Sequence, residues 1–177
     1  MKKKVRVILI ALSFMGIFLF IAVIGNFFDE IEKHRIRKNK CVTTGEIVDV
    51  NRRRTGTYIT IHAFINGNEI EFRGSEPSNK VLTGECFEIE YNCNNPEERY
   101  VVYEHPTFVK GDEGKIGIVT GKITKTDSDY IEYEYLVNDT LFSKQQAISE
   151  NKAIDFSKSY KVGYLKYYPY ISILYFE

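Results

Sequence analysis

The sequence predicts an all-β protein: two copies of one small five-stranded unit, set behind a single N-terminal transmembrane helix. Three observations carry this. The chain repeats itself: Gly45-Glu46-Ile47 matches Gly121-Lys122-Ile123, and residues 58–66 match 130–138 without a gap. Further on, Phe87, Ile89, Tyr91 and Pro96 match Tyr160, Val162, Tyr164 and Pro169. Within each copy, apolar and polar residues alternate with the period of a half-buried strand. Residues 5–28, finally, form one apolar run whose only charge is Arg6.

Coiled as a helix, that run reaches roughly 36 Å, enough to cross about 30 Å of hydrocarbon with some tilt. A cleaved signal peptide is the competing reading, with Met1-Lys2-Lys3-Lys4 as its basic start. The site after Gly25 is a poor one and the run is long for such a peptide, so an uncleaved anchor is preferred. Basic residues stand on both sides of the span. Those before it abut the apolar run, whereas Asp29, Glu30 and Glu32 dilute those after it. The N-terminus is therefore expected inside and the repeats outside. Residues 28–40 hold no Gly or Pro and read as a solvated helical stalk, with contact of Lys33 to Lys40 with anionic headgroups as the alternative.

In the first copy, residues 42–50 open the unit. Ile59, Ile61, Ala63 and Ile65 then alternate with Thr60, His62 and Phe64. Asn66-Gly67 marks a type I′ hairpin, because both residues accept positive φ. Ile70 and Phe72 lie on the return strand, and residues 75–78, with Pro77, form a loop. Phe87, Ile89 and Tyr91 define a fourth strand, residues 92–96 turn the chain, and residues 100–103 close the unit. The second copy follows the same plan, with Asn138-Asp139 as its turn, a short helix expected over residues 147–156, and a last strand over 171–176. The expected domains are an anchor and basic stalk (1–41), a first barrel (42–103), a linker (104–115) and a second barrel (116–177). Five short strands per copy suggest a small barrel of the OB or SH3 type.

The first copy also carries Thr44-Gly45, Ile47, Arg52-Arg53-Arg54, Asn66-Gly67, Gly84, Tyr91 and Asn95-Pro96-Glu97-Glu98. In these residues it resembles a bacterial family catalogued as a domain of unknown function, whose members are small β-barrels beside transmembrane helices. The second copy keeps the apolar spacing and Pro169 but lacks the arginines and the glycine at the position of Gly84. The resemblance implies a bacterial envelope protein and no activity. The apolar run and the charges around it add the expectation of a single-pass inner-membrane protein with periplasmic repeats.

Charge is divided along the chain. Residues 1–41 hold nine Lys/Arg against three Asp/Glu, whereas residues 42–177 hold fifteen against twenty-one. A folded part that is mildly acidic argues against nucleic acid as a partner. The three histidines have no metal-ligand spacing, and there is no Cys-x-x-Cys, nucleophile elbow or Gly-rich phosphate loop, so no metal, cofactor or catalytic residue is expected. Glu69/Glu71 and Glu88/Glu90 read as polar outer faces. Cys86 and Cys93 would lie roughly 23 Å apart on a continuous strand, too far for a disulfide. Cys41 meets one of them in a barrel, or all three thiols stay free.

Two features remain as candidate binding residues. Arg52, Arg53 and Arg54 form a basic cluster expected in the loop after the first strand. Tyr58, His62 and Phe64, with Tyr130 and Leu136 in the second copy, put aromatic and apolar groups on a row that should be polar. Either the two barrels pack on each other through these rows, or the rows anchor a partner. The functional expectation is a non-enzymatic, membrane-tethered binding or scaffold module for an envelope protein. A membrane-anchored, toxin-neutralising immunity protein is the alternative.

Overall fold

The structure is a computed structural model that describes residues 31, 33–54, 56–76, 81–109, 111–149 and 153–176. The expected transmembrane helix over residues 5–28 lies outside the described residues. Residues 33–38 are helical, and no helix among the described residues is long and apolar enough to cross a membrane.

Ten strands follow: β1 (Lys40–Arg53), β2 (Gly56–Ile65), β3 (Asn68–Glu76), β4 (Cys86–Asn92), β5 (Asn95–Thr107), β6 (Ile116–Thr126), β7 (Tyr130–Val137), β8 (Thr140–Ala147), β9 (Tyr160–Leu165) and β10 (Tyr168–Tyr175). They form two five-stranded sheets, ordered β3-β2-β1-β4-β5 and β8-β7-β6-β9-β10. The two orders are identical once β6 is set on β1, so the sequence repeat is a repeat of topology.

Local chemistry explains the shared plan. Asn66 and Gly67 adopt φ of 52° and 80°, and Asn138 and Asp139 adopt 51° and 63°, the left-handed pair that a two-residue hairpin requires. Ile65 then faces Asn68, and Val137 faces Thr140. Each copy also places a register shift at the same point of its first hairpin, between Ile47 and Asp49 and between Ile123 and Lys125. A bulge there bends the strand, which curls the sheet around its own apolar face. Gly45 and Gly121 sit just before the bend, where a Cβ would come within 2.7 Å of Ile61 in one copy and of Val162 in the other. The recurring glycines permit close strand packing.

Each sheet encloses its own core. Ile47, Ile59, Ile61, Ala63, Phe87 and Ile89 fill the first, with Val81. The matching Ile123, Ile131, Tyr133, Tyr135 and Val162 fill the second, joined by Val137, Ile148 and Leu174. Each fully buried isoleucine contributes about 1.5–3 kcal/mol. Where the second copy replaces Ile61 and Ala63 by tyrosines, their hydroxyls need partners. Tyr133 Oη meets Ser172 Oγ at 2.9 Å, and Tyr135 donates to the Pro169 carbonyl. The second sheet is nearly barrel-shaped, with β8 brought against β10.

Several local expectations are corrected. β1 runs through Arg53, so Arg52 and Arg53 are strand residues and only Arg54 lies in the turn. β5 starts at Asn95 and extends to Thr107, so the chain turns at Cys93-Asn94 and the strand takes up residues expected in a linker, His105 among them. No helix occurs among the described residues of 147–156, because β8 continues through Ala147 and buries Gln146. Glu90 is buried and accepts a hydrogen bond from Tyr100 Oη rather than lining a polar face.

Two compact units divide the described residues, one holding 31–41 and 91–98 and the other 42–90 and 99–176. In the first unit, Cys41 and Cys93 form a disulfide with their Cα atoms 5.2 Å apart. The Cys93 N–H donates to the Asn39 carbonyl at 2.8 Å, and Arg35 faces Glu98 at 3.6 Å. Ile36 is fully buried. Cys86 remains a free thiol.

Candidate functional site

Alternation along β2 turns Ile59, Ile61, Ala63 and Ile65 inward, so Tyr58, Thr60, His62 and Phe64 face outward. Tyr58 and Phe64 are 44% and 64% exposed. The Arg53 guanidinium lies 5.7 Å from the Tyr58 ring centre, within cation–π range, and its Nε donates to Asn51 Oδ1 at 3.4 Å. Around this pair, Asp49, Asn51, Thr60 and Arg73 border a surface depression of about 350 Å³. Further along the row, His62 is bracketed by two carboxylates, Glu71 Oε2 at 2.9 Å from Nε2 and Glu69 Oε1 at 3.5 Å from Nδ1.

The arginine cluster is thus divided in use. Arg52 turns away and donates to the Val81 carbonyl at 2.9 Å, pinning the segment before β4. Arg53 stacks on Tyr58, and Arg54 stays exposed in the turn. The remaining predicted residues stand on the second sheet. Leu136, 58% exposed, faces Leu141, 60% exposed, across the β7–β8 hairpin. Tyr130 is half-buried and lines a different cavity. Tyr58, Phe64 and Leu136, which packing of the two outer rows on each other would cover, are all exposed.

The sheets meet elsewhere, through residues that the sequence reading passed over. A small cavity of about 30 Å³, room for one or two waters, is lined by Glu85, Cys86, Tyr103, Tyr130, Lys144 and Ile171. In it the Lys144 ammonium contacts Glu85 Oε1. The two side chains are only 11% and 6% exposed. Glu85 Oε2 takes the Leu82 N–H at 3.0 Å, while Oε1 has, among the described residues, no hydrogen-bond donor beyond the facing ammonium. Burial pushes the Lys144 amine down to about 7. Burial, reinforced by the negative charges of Glu46 and Asp112, pushes the Cys86 thiol up to about 12, so it stays protonated and unreactive at neutral pH.

Comparison with protein-family models, with curated proteins and with solved structures finds no match.

The functional argument therefore rests on geometry. The outer face of β2 combines an exposed aromatic at each end, a stacked arginine and a histidine with two acceptors. That set offers apolar contact together with directed polar contacts. The single sequence signal for the buried pair was the row Phe142, Lys144 and Gln146, in which Lys144 shares the half-buried side of β8 with two packed neighbours.

Proposed function

We propose that this chain is a non-enzymatic, tethered binding module of the bacterial envelope, and that the outer face of β2 receives a protein partner. The observation that carries this is the exposed Tyr58–Phe64 row with Arg53 stacked on Tyr58. Tyr, Phe and Arg are the residues enriched where interfaces concentrate their binding energy. Strand order supports an OB-like reading of each unit over an SH3-like one: curling β3-β2-β1-β4-β5 brings β5 beside β3, the circular order of that barrel. Barrels of this type bind ligands on the face of their second and third strands and at the loop after the first. Tyr58, His62, Glu69, Glu71 and Arg54 occupy those positions. The Cys41–Cys93 disulfide supports repeats outside the cytoplasm, because such bonds persist in oxidising compartments.

The test uses the full chain in cells, with a photo-crosslinking residue at position 64 and, as control, at exposed position 141. The expected result is a discrete adduct from position 64 to one envelope protein, reduced when Arg53→Ala and Tyr58→Ala are added. Equal adducts from both positions, or none from position 64, would overturn the reading.

A further inference from the structure

A second concavity lies where the two sheets meet and shares no residue with the Arg53–Tyr58 depression. It is a groove of about 540 Å³, within the range of small-ligand sites. One wall is aromatic. Tyr168 and Tyr170 stand with ring centres 5.9 Å apart at 59°, and they remain 55% and 44% exposed. Phe108 extends that wall. The charged groups that line the groove are both carboxylates, Glu46 and Asp112, with no Lys, Arg or His among the lining residues. Asp112 already holds Lys115 at 2.6 Å, while Glu46 makes no ion pair among the described residues. Both carboxylates are felt at the groove floor, where they help to hold the Cys86 thiol protonated.

Aromatic rings carry a negative π-face, and carboxylates in the same groove lining add full charge. Together they favour a flat or alkylated cation, which gains from both and loses little hydration. An anion is repelled by every charged group lining the groove, and a neutral peptide leaves Glu46 uncompensated. We propose that this groove is a binding site for a basic side chain, guanidinium above all, presented by a peptide segment of a partner protein. The complementarity lies between the acidic, aromatic lining and an arginine-bearing strand or loop. Glu46 stands opposite His62 in the β1–β2 pairing, so the groove borders the outer face of β2; Gly84, Cys86, Tyr168 and Ile171, which report on the groove, are not on β2.

The full chain in a neutral detergent, labelled for NMR, is titrated with a blocked tri-arginine peptide at low salt. Resonances of Gly84, Cys86, Tyr168 and Ile171 should shift together, with a dissociation constant on the order of 1 mM, the strength of a few half-exposed contacts. Glu46→Gln, at an exposed strand position, and Tyr168→Ala should each weaken binding about fivefold or more while the spectrum stays dispersed. Raising salt to about 0.5 M should weaken binding to the unaltered chain, which tests the charge term without any substitution. Three outcomes would overturn the site: no shifts, equal shifts with tri-glutamine or with a neutral oligosaccharide, or unchanged affinity in both variants.

Discussion

The side-chain amide of Gln146 bonds the backbone of Leu174 in both directions: its Nε2 donates to the Leu174 carbonyl at 3.1 Å, and its Oε1 accepts the Leu174 N–H at 2.8 Å. The amide stands in for a backbone rung between β8 and β10, the two edge strands of the second sheet. It satisfies a donor and an acceptor that would otherwise be buried unpaired, and it nearly closes the barrel. The first sheet approaches closure by other means, with Tyr103 Oη donating to the Ser75 carbonyl at 3.1 Å and Arg99 lying 4.6 Å over the Phe72 ring.

Gln146→Met keeps the volume and removes both bonds. It should destabilise the chain by about 2–4 kcal/mol, the cost of leaving two backbone groups unsatisfied. Urea unfolding gives the loss, and hydrogen exchange should show the Leu174 amide losing protection while Val162, inside the sheet, keeps most of its own. Unchanged exchange at Leu174 would show that the edges close without Gln146.

The disulfide gives a second expectation. Cys41 and Cys93 are 52 residues apart in sequence, and closing a loop of that length restricts the unfolded chain by about 4 kcal/mol in the chain-entropy account. Reductant, or Cys41→Ala with Cys93→Ala, should lower the urea midpoint accordingly. A thiol titration of the denatured, unreduced chain should count one reactive group, Cys86, and three after reduction. Native protein should react slowly at Cys86, because its thiol is buried and held protonated. A count of three before reduction would remove the bond.

Much of the fold was legible because its determinants are local. Alternation in residues 58–65 and 130–137 sets the inward rows, and Asn66-Gly67 and Asn138-Asp139 set the hairpins, since both signals depend on neighbours within a few residues. The disulfide was not legible from spacing: counting along one strand excludes Cys86 with Cys93, but Cys41 and Cys93 become neighbours because β4 pairs with β1. Arg52 read as one of three equivalent arginines, and its use on the Val81 carbonyl, 29 residues away, is a tertiary fact. The exposed state of Tyr58 and Phe64 follows from where the two copies touch, which no pattern within one copy records. The same reason hid Glu85 and Lys144, each an ordinary polar residue within its own repeat.

That buried pair yields the sharpest test. Lys144→Met leaves the Glu85 carboxylate buried without a cation and should cost about 3–5 kcal/mol, whereas Lys144→Met with Glu85→Leu should recover most of the loss. In Glu85→Gln, burial acts on Lys144 without an opposing carboxylate. Burial then holds the folded Lys144 value below the 10.5 of the unfolded chain. Between those values the unfolded state binds more protons, so stability rises with pH. Measured against Glu85→Gln/Lys144→Met, the stability of Glu85→Gln should thus be lowest at neutral pH and below, and rise toward pH 9. Cys86 and the buried tyrosines titrate above that point and act in the opposite sense, because their folded values are raised. Comparing Glu85→Gln with Glu85→Gln/Lys144→Met from pH 6 to 9 cancels them. A difference between the two variants that does not change with pH would mean that Lys144 reaches solvent, and that the two sheets are not pinned at this point.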